Sequence, residues 1–147
     1  MAEMTPEISY SDELPDKAAY FKLFECTGWN RENPLSADRL HEGIQKSWFI
    51  TCAYAGNELV GSARLVSDSV VYAVVMDVIV LQSHRRMGIG RELMLRLLRH
   101  SQRENIRHVQ LFCARGYLNF YSELGFVARH PEAPAMTWAP RELPASA

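Results

Sequence analysis

The stretch from Val70 to Leu81 constrains this chain more than any other. Val70, Val71, Val74, Val75, Val78, Ile79 and Val80 are β-branched, and Asp77 is the one charge among them. Such length and apolarity predict a central strand buried on both faces. The chain then passes through a short polar loop to Gly88-Ile89-Gly90, and the pattern turns helical. Ile89, Leu93 and Leu97, with Met94 and Leu98, form one apolar stripe, and Arg91, Glu92, Arg96, Arg99 and Arg103 cover the rest. A buried strand that feeds a long amphipathic helix through a glycine-bearing loop belongs to an α/β chain.

The flanking patterns fill in the layers. Pro15 to Thr27 reads as a helix capped by Ser11 or Asp12 and ended by Gly28, and Ser36 to Gln45 as a second with Ser36 as N-cap. Trp48 to Ala55 and Glu58 to Val66 read as strands joined at a Gly56-Asn57 hairpin, and Ser67-Asp68-Ser69 as the next turn. His108 to Cys113 is a short strand. Leu118 to Leu124 is a short helix with Gly125 behind it. Phe126 to Arg129 and Ala135 to Trp138 are expected as the last two strands. The pattern describes one domain over residues 1–147, with loose ends at 1–6 and 140–147. Its mixed, mostly antiparallel sheet would hold about six to seven strands with about four helices around it.

Composition excludes several functions. A formal net charge of -1 is unlike the basic excess of a dedicated nucleic-acid binder. No apolar run reaches the roughly 20 residues of a membrane span, and Met1 to Asp12 has no signal-peptide core. Cys26, Cys52 and Cys113 are scattered, which points to reduced thiols and a cytoplasmic setting. Neither they nor His41, His84, His100, His108 and His130 show metal-ligand spacing, so no metal is expected.

The chemistry concentrates where the strand meets the helix. Gly88 and Gly90 leave the backbone amides of the first helical turn accessible, and those amides and the helix dipole favour a phosphate. A run of converging amides makes an anion nest, and Arg85, Arg86 and Arg91 add positive charge around it. The stretch lacks the third glycine of a dinucleotide fingerprint and the lysine of a nucleoside-triphosphate loop.

Arg85-x-x-Gly88-x-Gly90 resembles the pyrophosphate motif of the GNAT acetyltransferase superfamily, and Val78-Ile79-Val80-Leu81 resembles that family's central strand. Asn119-Phe120-Tyr121-Ser122-Glu123-Leu124-Gly125-Phe126 resembles its second signature, about 30 residues downstream and separated by one helix and one strand. The likeness covers roughly Val60 to Phe126. Gln82 stands where many relatives have proline. The resemblance implies a GNAT-like fold and acetyl-coenzyme A as co-substrate. It implies that Arg85, Arg86, Met87, Gly88, Ile89, Gly90 and Arg91 cradle the pyrophosphate. The backbone of Val78, Ile79 and Val80 would follow pantetheine and supply an oxyanion donor. Asn119 would hold the pantetheine arm, and Tyr121 would protonate the departing thiolate as general acid.

For the base, Met76 stands where some relatives carry glutamate. Asp77 is the nearest carboxylate, but strand alternation turns it from the face of Met76 and Val78, so a water chain or a structural role for Asp77 stays open. Thr27-Gly28-Trp29-Asn30 and Leu59 to Asp68 resemble a small-molecule branch that includes plant-type arylalkylamine acetyltransferases, and Trp29, Trp48, Tyr54 and Trp138 are candidate walls for the acceptor. The resemblance thus implies acetyl transfer to a primary amine of a small molecule. A peptide or protein amine, and a non-catalytic acyl-coenzyme A-binding module, are the alternatives. Neither a nucleic-acid nor a membrane partner is expected, and apolar surface at the sheet edge would be the route to a homodimer.

Overall fold

The computed structural model describes residues 6–139 and 142–145. The chain divides into two compact units, one ending at Leu111 and the other beginning at Phe112.

The first unit runs β1 (Ile8–Ser11), α1 (Lys17–Glu25), α2 (Ala37–Gln45), β2 (Phe49–Ala55), β3 (Glu58–Ser67), β4 (Tyr72–Val80), a single 3-10 turn at Gln82–His84, α3 (Ile89–Arg103) and β5 (His108–Leu111). The strands lie in the order β1-β2-β3-β4-β5. Neighbours are antiparallel except β4 and β5, which α3 joins as a parallel crossover. The expected α/β class with a mixed, mostly antiparallel sheet is what forms.

Local chemistry sets the element ends. Ser36 Oγ accepts from the Arg39 amide at 3.2 Å and caps α2 as expected. The cap of α1 is Asp16, whose Oδ2 accepts from Ala19 N at 3.1 Å, so this helix starts later than expected. Pro15 precedes that cap directly, and Ser11 belongs to β1 instead. Asp68 Oδ1 accepts from the amides of Val70, Val71 and Tyr72, which holds Val70 and Val71 in the turn and starts β4 at Tyr72.

The core has two faces. Tyr20 and Leu23 of α1 and Leu40 and Ile44 of α2 pack with Ile50, Cys52, Leu59 and Ile79 of the sheet. Ile89, Leu93, Met94 and Leu97 of α3 are also buried. A Cβ on Gly61 would meet Ile89 and Leu93, whereas its neighbour Ser62 touches Cys52 of the α1–α2 cluster. Successive strand residues point to opposite faces, so α3 covers the face that α1 and α2 leave open.

Two expectations need correction. Among the described residues the sheet has five strands, with β1 as an unforeseen member, and Phe126–Arg129 and Ala135–Trp138 are not strands. Pro131 and Pro134 lie between and beside those segments, fix φ and remove amide donors. Val127 and Met136 are 90% and 86% exposed, so no apolar face anchors a hairpin there. Nor is β4 buried on both faces. Ala73, Val75 and Ile79 are buried, while Val74, Met76, Asp77, Val78 and Val80 are half-exposed.

The second unit contains α4 (Leu118–Glu123). The loose end expected at 1–6 lies outside the described residues except for its last residue, and that at 140–147 except for 142–145.

Candidate active site

The irregularity of β4 builds the first part of the site. Ser62 pairs with Ile79 and Arg64 with Met76, so Ala63 faces two residues, Asp77 and Val78. This is a β-bulge. Asp77 takes it up with φ +53, a left-handed conformation that Asp tolerates better than most side chains. The two ladders of β4 also differ in length. Its pairing with β3 reaches Val80, opposite Gly61, but its pairing with β5 stops at Val75, opposite Leu111. Among the described residues no strand pairs with the other edge of Met76 to Val80. That stretch carries the backbone of Val78, Ile79 and Val80, the edge expected to follow pantetheine.

The loop beyond β4 supplies the second part. Leu81 N is fixed to Val60 O at 2.9 Å, and the 3-10 turn follows. Arg86 (φ +62) and Gly88 (φ +78) are left-handed, and Gly88 is the N-cap of α3 without a side-chain cap. Glu92 N donates to Gly88 O at 3.0 Å. Among the described residues the six amides from Arg86 to Arg91 find no acceptor. Glu92 stands in the first turn, but its carboxylate faces Arg96 and Arg99 rather than the free amides. Arg85 folds its Nε back onto Val80 O at 3.3 Å, while Arg86, Met87 and Arg91 are exposed. Unpaired amides, a helix dipole and arginines together fit a pyrophosphate.

Asp77 does not face empty space. Its Oδ2 accepts from Arg64 Nε at 2.8 Å, with the two side chains 21% and 17% exposed. Arg64 Nη1 also reaches Gly43 O at 3.4 Å and Ser47 Oγ at 3.3 Å, at the end of α2. Arg64 pairs with Met76 across the ladder, so the bulge brings Asp77 to the Met76 side, contrary to simple alternation.

The second unit orients Tyr121 by its own contacts. The Phe126 amide donates to Tyr121 O at 3.1 Å and the Gly125 amide to Ser122 O at 3.0 Å. With Gly125 at φ +96, this is a Schellman ending of α4. The ring of Tyr121 packs edge-on against Phe126 at 5.9 Å and Phe120 at 4.9 Å. Burial raises the Tyr121 phenol above its ordinary value, and the neighbouring Cys113 and Tyr117 add to the shift, so the hydroxyl stays protonated. Asn119 is exposed on the same helix.

Trp29 is exposed with its ring edge-on to Phe24, Trp48 packs on His100 of α3, and Trp138 is exposed in the second unit. Among the described residues no cluster of His, Cys, Asp and Glu could hold a metal. Sequence reasoning missed Arg64 and Gly61. A lone arginine in an otherwise apolar strand and a glycine inside a strand were the available signals.

A family model described as acetyltransferase (GNAT) family matches residues 14–126. The chain is 30% identical over 129 residues, 80% of its length, to "Histone acetyltransferase TAP1" of Glycine max, covering 54% of that protein. It is 30% identical over 119 residues, again 80% of its length, to "Serotonin N-acetyltransferase 2, chloroplastic" of Oryza sativa subsp. japonica, covering 59% of it. It spans 66% and 54% of the length of two of the curated relatives it matches, and between 33% and 70% across the others. Among solved structures it resembles a GNAT family acetyltransferase of Streptococcus pneumoniae TIGR4. The TM-score is 0.78 at 27% identity, over 92% of this chain and all of that one.

Proposed function

The chain belongs to the acetyltransferase (GNAT) family, and on that premise we propose that it acetylates the primary amine of a small molecule. The family makes it an acetyl-coenzyme A-dependent N-acetyltransferase. The observation that carries the site assignment is the run of six unpaired amides, Arg86 to Arg91, behind a left-handed Gly88.

In this reading those amides, with Arg85, hold the pyrophosphate through charge-assisted hydrogen bonds. The unpaired edge of β4 at Val78, Ile79 and Val80 lines the pantetheine and offers a backbone donor to the acyl oxygen as negative charge develops there. The amine nitrogen forms a bond to the acyl carbon as the carbon–sulfur bond breaks. The nitrogen gives up its surplus proton to water, Tyr121 delivers its hydroxyl proton to the leaving sulfur, and solvent returns a proton to the phenolate. Asn119 steadies the pantetheine arm. The Asp77 carboxylate is engaged by Arg64, so water rather than Asp77 is the proton's destination in this reading. Most of the rate then comes from holding two reactants together.

The small-molecule acceptor rests on the N-terminal likeness to the arylalkylamine branch and on the serotonin-named relative. The histone-named relative supports a protein lysine as the second reading. Thiol release from acetyl-coenzyme A separates them, measured with serotonin, phenethylamine, spermidine and a histone-tail peptide. Faster release with a small amine is expected. Release with the peptide alone overturns the small-molecule reading, and a melting shift with acetyl-coenzyme A but no release on any amine makes the protein a binding module.

A further inference from the structure

We infer that Arg64 is a positioning residue: it locks the bulge of β4 at Asp77 and so aims the adjoining β4 backbone at the acyl carbonyl. This rests on the acetyltransferase reading and goes beyond it, since the resemblance assigns Arg64 nothing.

Three observations converge. The bulge is the point where β4 changes course, with Asp77 and Val78 opposite Ala63 and Asp77 at φ +53. A left-handed side-chain residue costs about 1–2 kcal/mol and persists only where its surroundings over-determine it. The over-determining contact is the Arg64–Asp77 pair at 2.8 Å, with both side chains mostly removed from water. Finally, Arg64 does not hold Asp77 alone. Its Nη1 reaches Gly43 O and Ser47 Oγ, so the bulge is tethered to the end of α2 as well as to β3.

A structural ion pair without a role in the reaction is the competing account. A largely desolvated pair adds little net stability, because desolvation cancels much of the attraction. What the pair does fix is a direction. A guanidinium that bridges three acceptors leaves the peptide between Asp77 and Val78 little freedom to rotate. That peptide adjoins the β4 edge left unpaired beyond Val75. A carbonyl hydrogen-bonded there would depend on its orientation.

The test reads the carbonyl itself and needs no acceptor. Acetyl-coenzyme A labelled with carbon-13 at the carbonyl is titrated into the full chain, and its resonance and dissociation constant are followed together. The wild type should move the resonance downfield, because a hydrogen bond polarises the carbonyl. Arg64→Met should lose at least roughly half of that displacement while the dissociation constant changes less than about threefold, since the phosphate loop is intact. Arg64→Lys should resemble Arg64→Met, because one ammonium does not reproduce the fork.

Should Arg64→Met fail to fold, Asp77→Ala carries the same prediction, as it removes the carboxylate that Arg64 holds while keeping a Cβ that disfavours φ +53. Asp77→Asn, which tolerates that φ and still accepts from Arg64, should keep most of the displacement. A wild-type displacement in Arg64→Met or Asp77→Ala overturns the lock and leaves the acetyltransferase reading standing. Failure of the wild type to bind the labelled thioester overturns both.

Discussion

A Cβ added to Gly61 would lie 3.2 Å from Ile89 Cγ2, the first residue of α3, and equally close to Leu93 Cδ1 and the Ile79 carbonyl oxygen. Gly61 therefore sets how near the start of α3 sits to the sheet, and with it the loop of free amides. Gly61→Ala should push α3 outward by a few tenths of an ångström. We expect a loss of about 1–2 kcal/mol in stability from overpacking and weaker binding of acetyl-coenzyme A. Denaturant unfolding and calorimetric titration check the two effects. Unchanged values in both would mean that the contact is slack.

Gly88 differs, because a Cβ there meets nothing within 4 Å and the constraint is conformational, at φ +78. Gly88→Val should cost about 1–2 kcal/mol of backbone strain and remove most of the melting shift with acetyl-coenzyme A. Gly88→Asn, whose side chain tolerates the left-handed region, should keep more of it. Equal shifts in both variants would argue against the phosphate-loop assignment.

Cys52 makes stability depend on alkaline pH. It is fully buried, and burial pushes its thiol from 9.0 up to about 11, against a smaller lowering by Ser62. Below pH 9 both states hold the proton, so stability is unaffected. Above it the unfolded chain releases the proton while the folded chain keeps it, and stability falls by about 1.4 kcal/mol per pH unit. The loss ends near pH 11, after about 3 kcal/mol. Buried Tyr20 shifts in the same direction and contributes above pH 10 in every variant. Denaturant unfolding from pH 8 to 11 should therefore give a flatter profile for Cys52→Ala than for the wild type.

Much of this architecture was legible because it rests on local chemistry. The cap at Ser36, the stripe of α3 and the Gly88-x-Gly90 start follow from spacing and backbone freedom. The bulge was not legible. Alternation turned Asp77 from the Met76 side, and only the pairing of Ala63 with two residues, a property of the partner strand, reverses it. The strand at Ile8–Ser11 was hidden for a related reason: four residues with two serines carry little apolar signal, and the strand exists because β2 offers an edge. The two strands expected after Phe126 do not form: Pro131 and Pro134 stand in the connection between them, and Val127 and Met136 face solvent rather than a core.

Tyr121 carries the sharpest test of the chemistry. The Schellman ending that seats it uses its backbone oxygen, and its ring packs on Phe120 and Phe126, so Tyr121→Phe keeps every one of those contacts and removes the hydroxyl alone. The variant should fold as the wild type does and bind acetyl-coenzyme A with similar affinity. Its turnover should fall about 10²-fold, the lower range for loss of a general acid. The comparison belongs on single-turnover rates, where product release cannot hide the chemical step. Because burial raises the phenol, the alkaline decline of the wild type should be centred above pH 10. An unchanged single-turnover rate in Tyr121→Phe would remove the tyrosine from the reaction, and a decline centred well below pH 10 would assign the titration to another group.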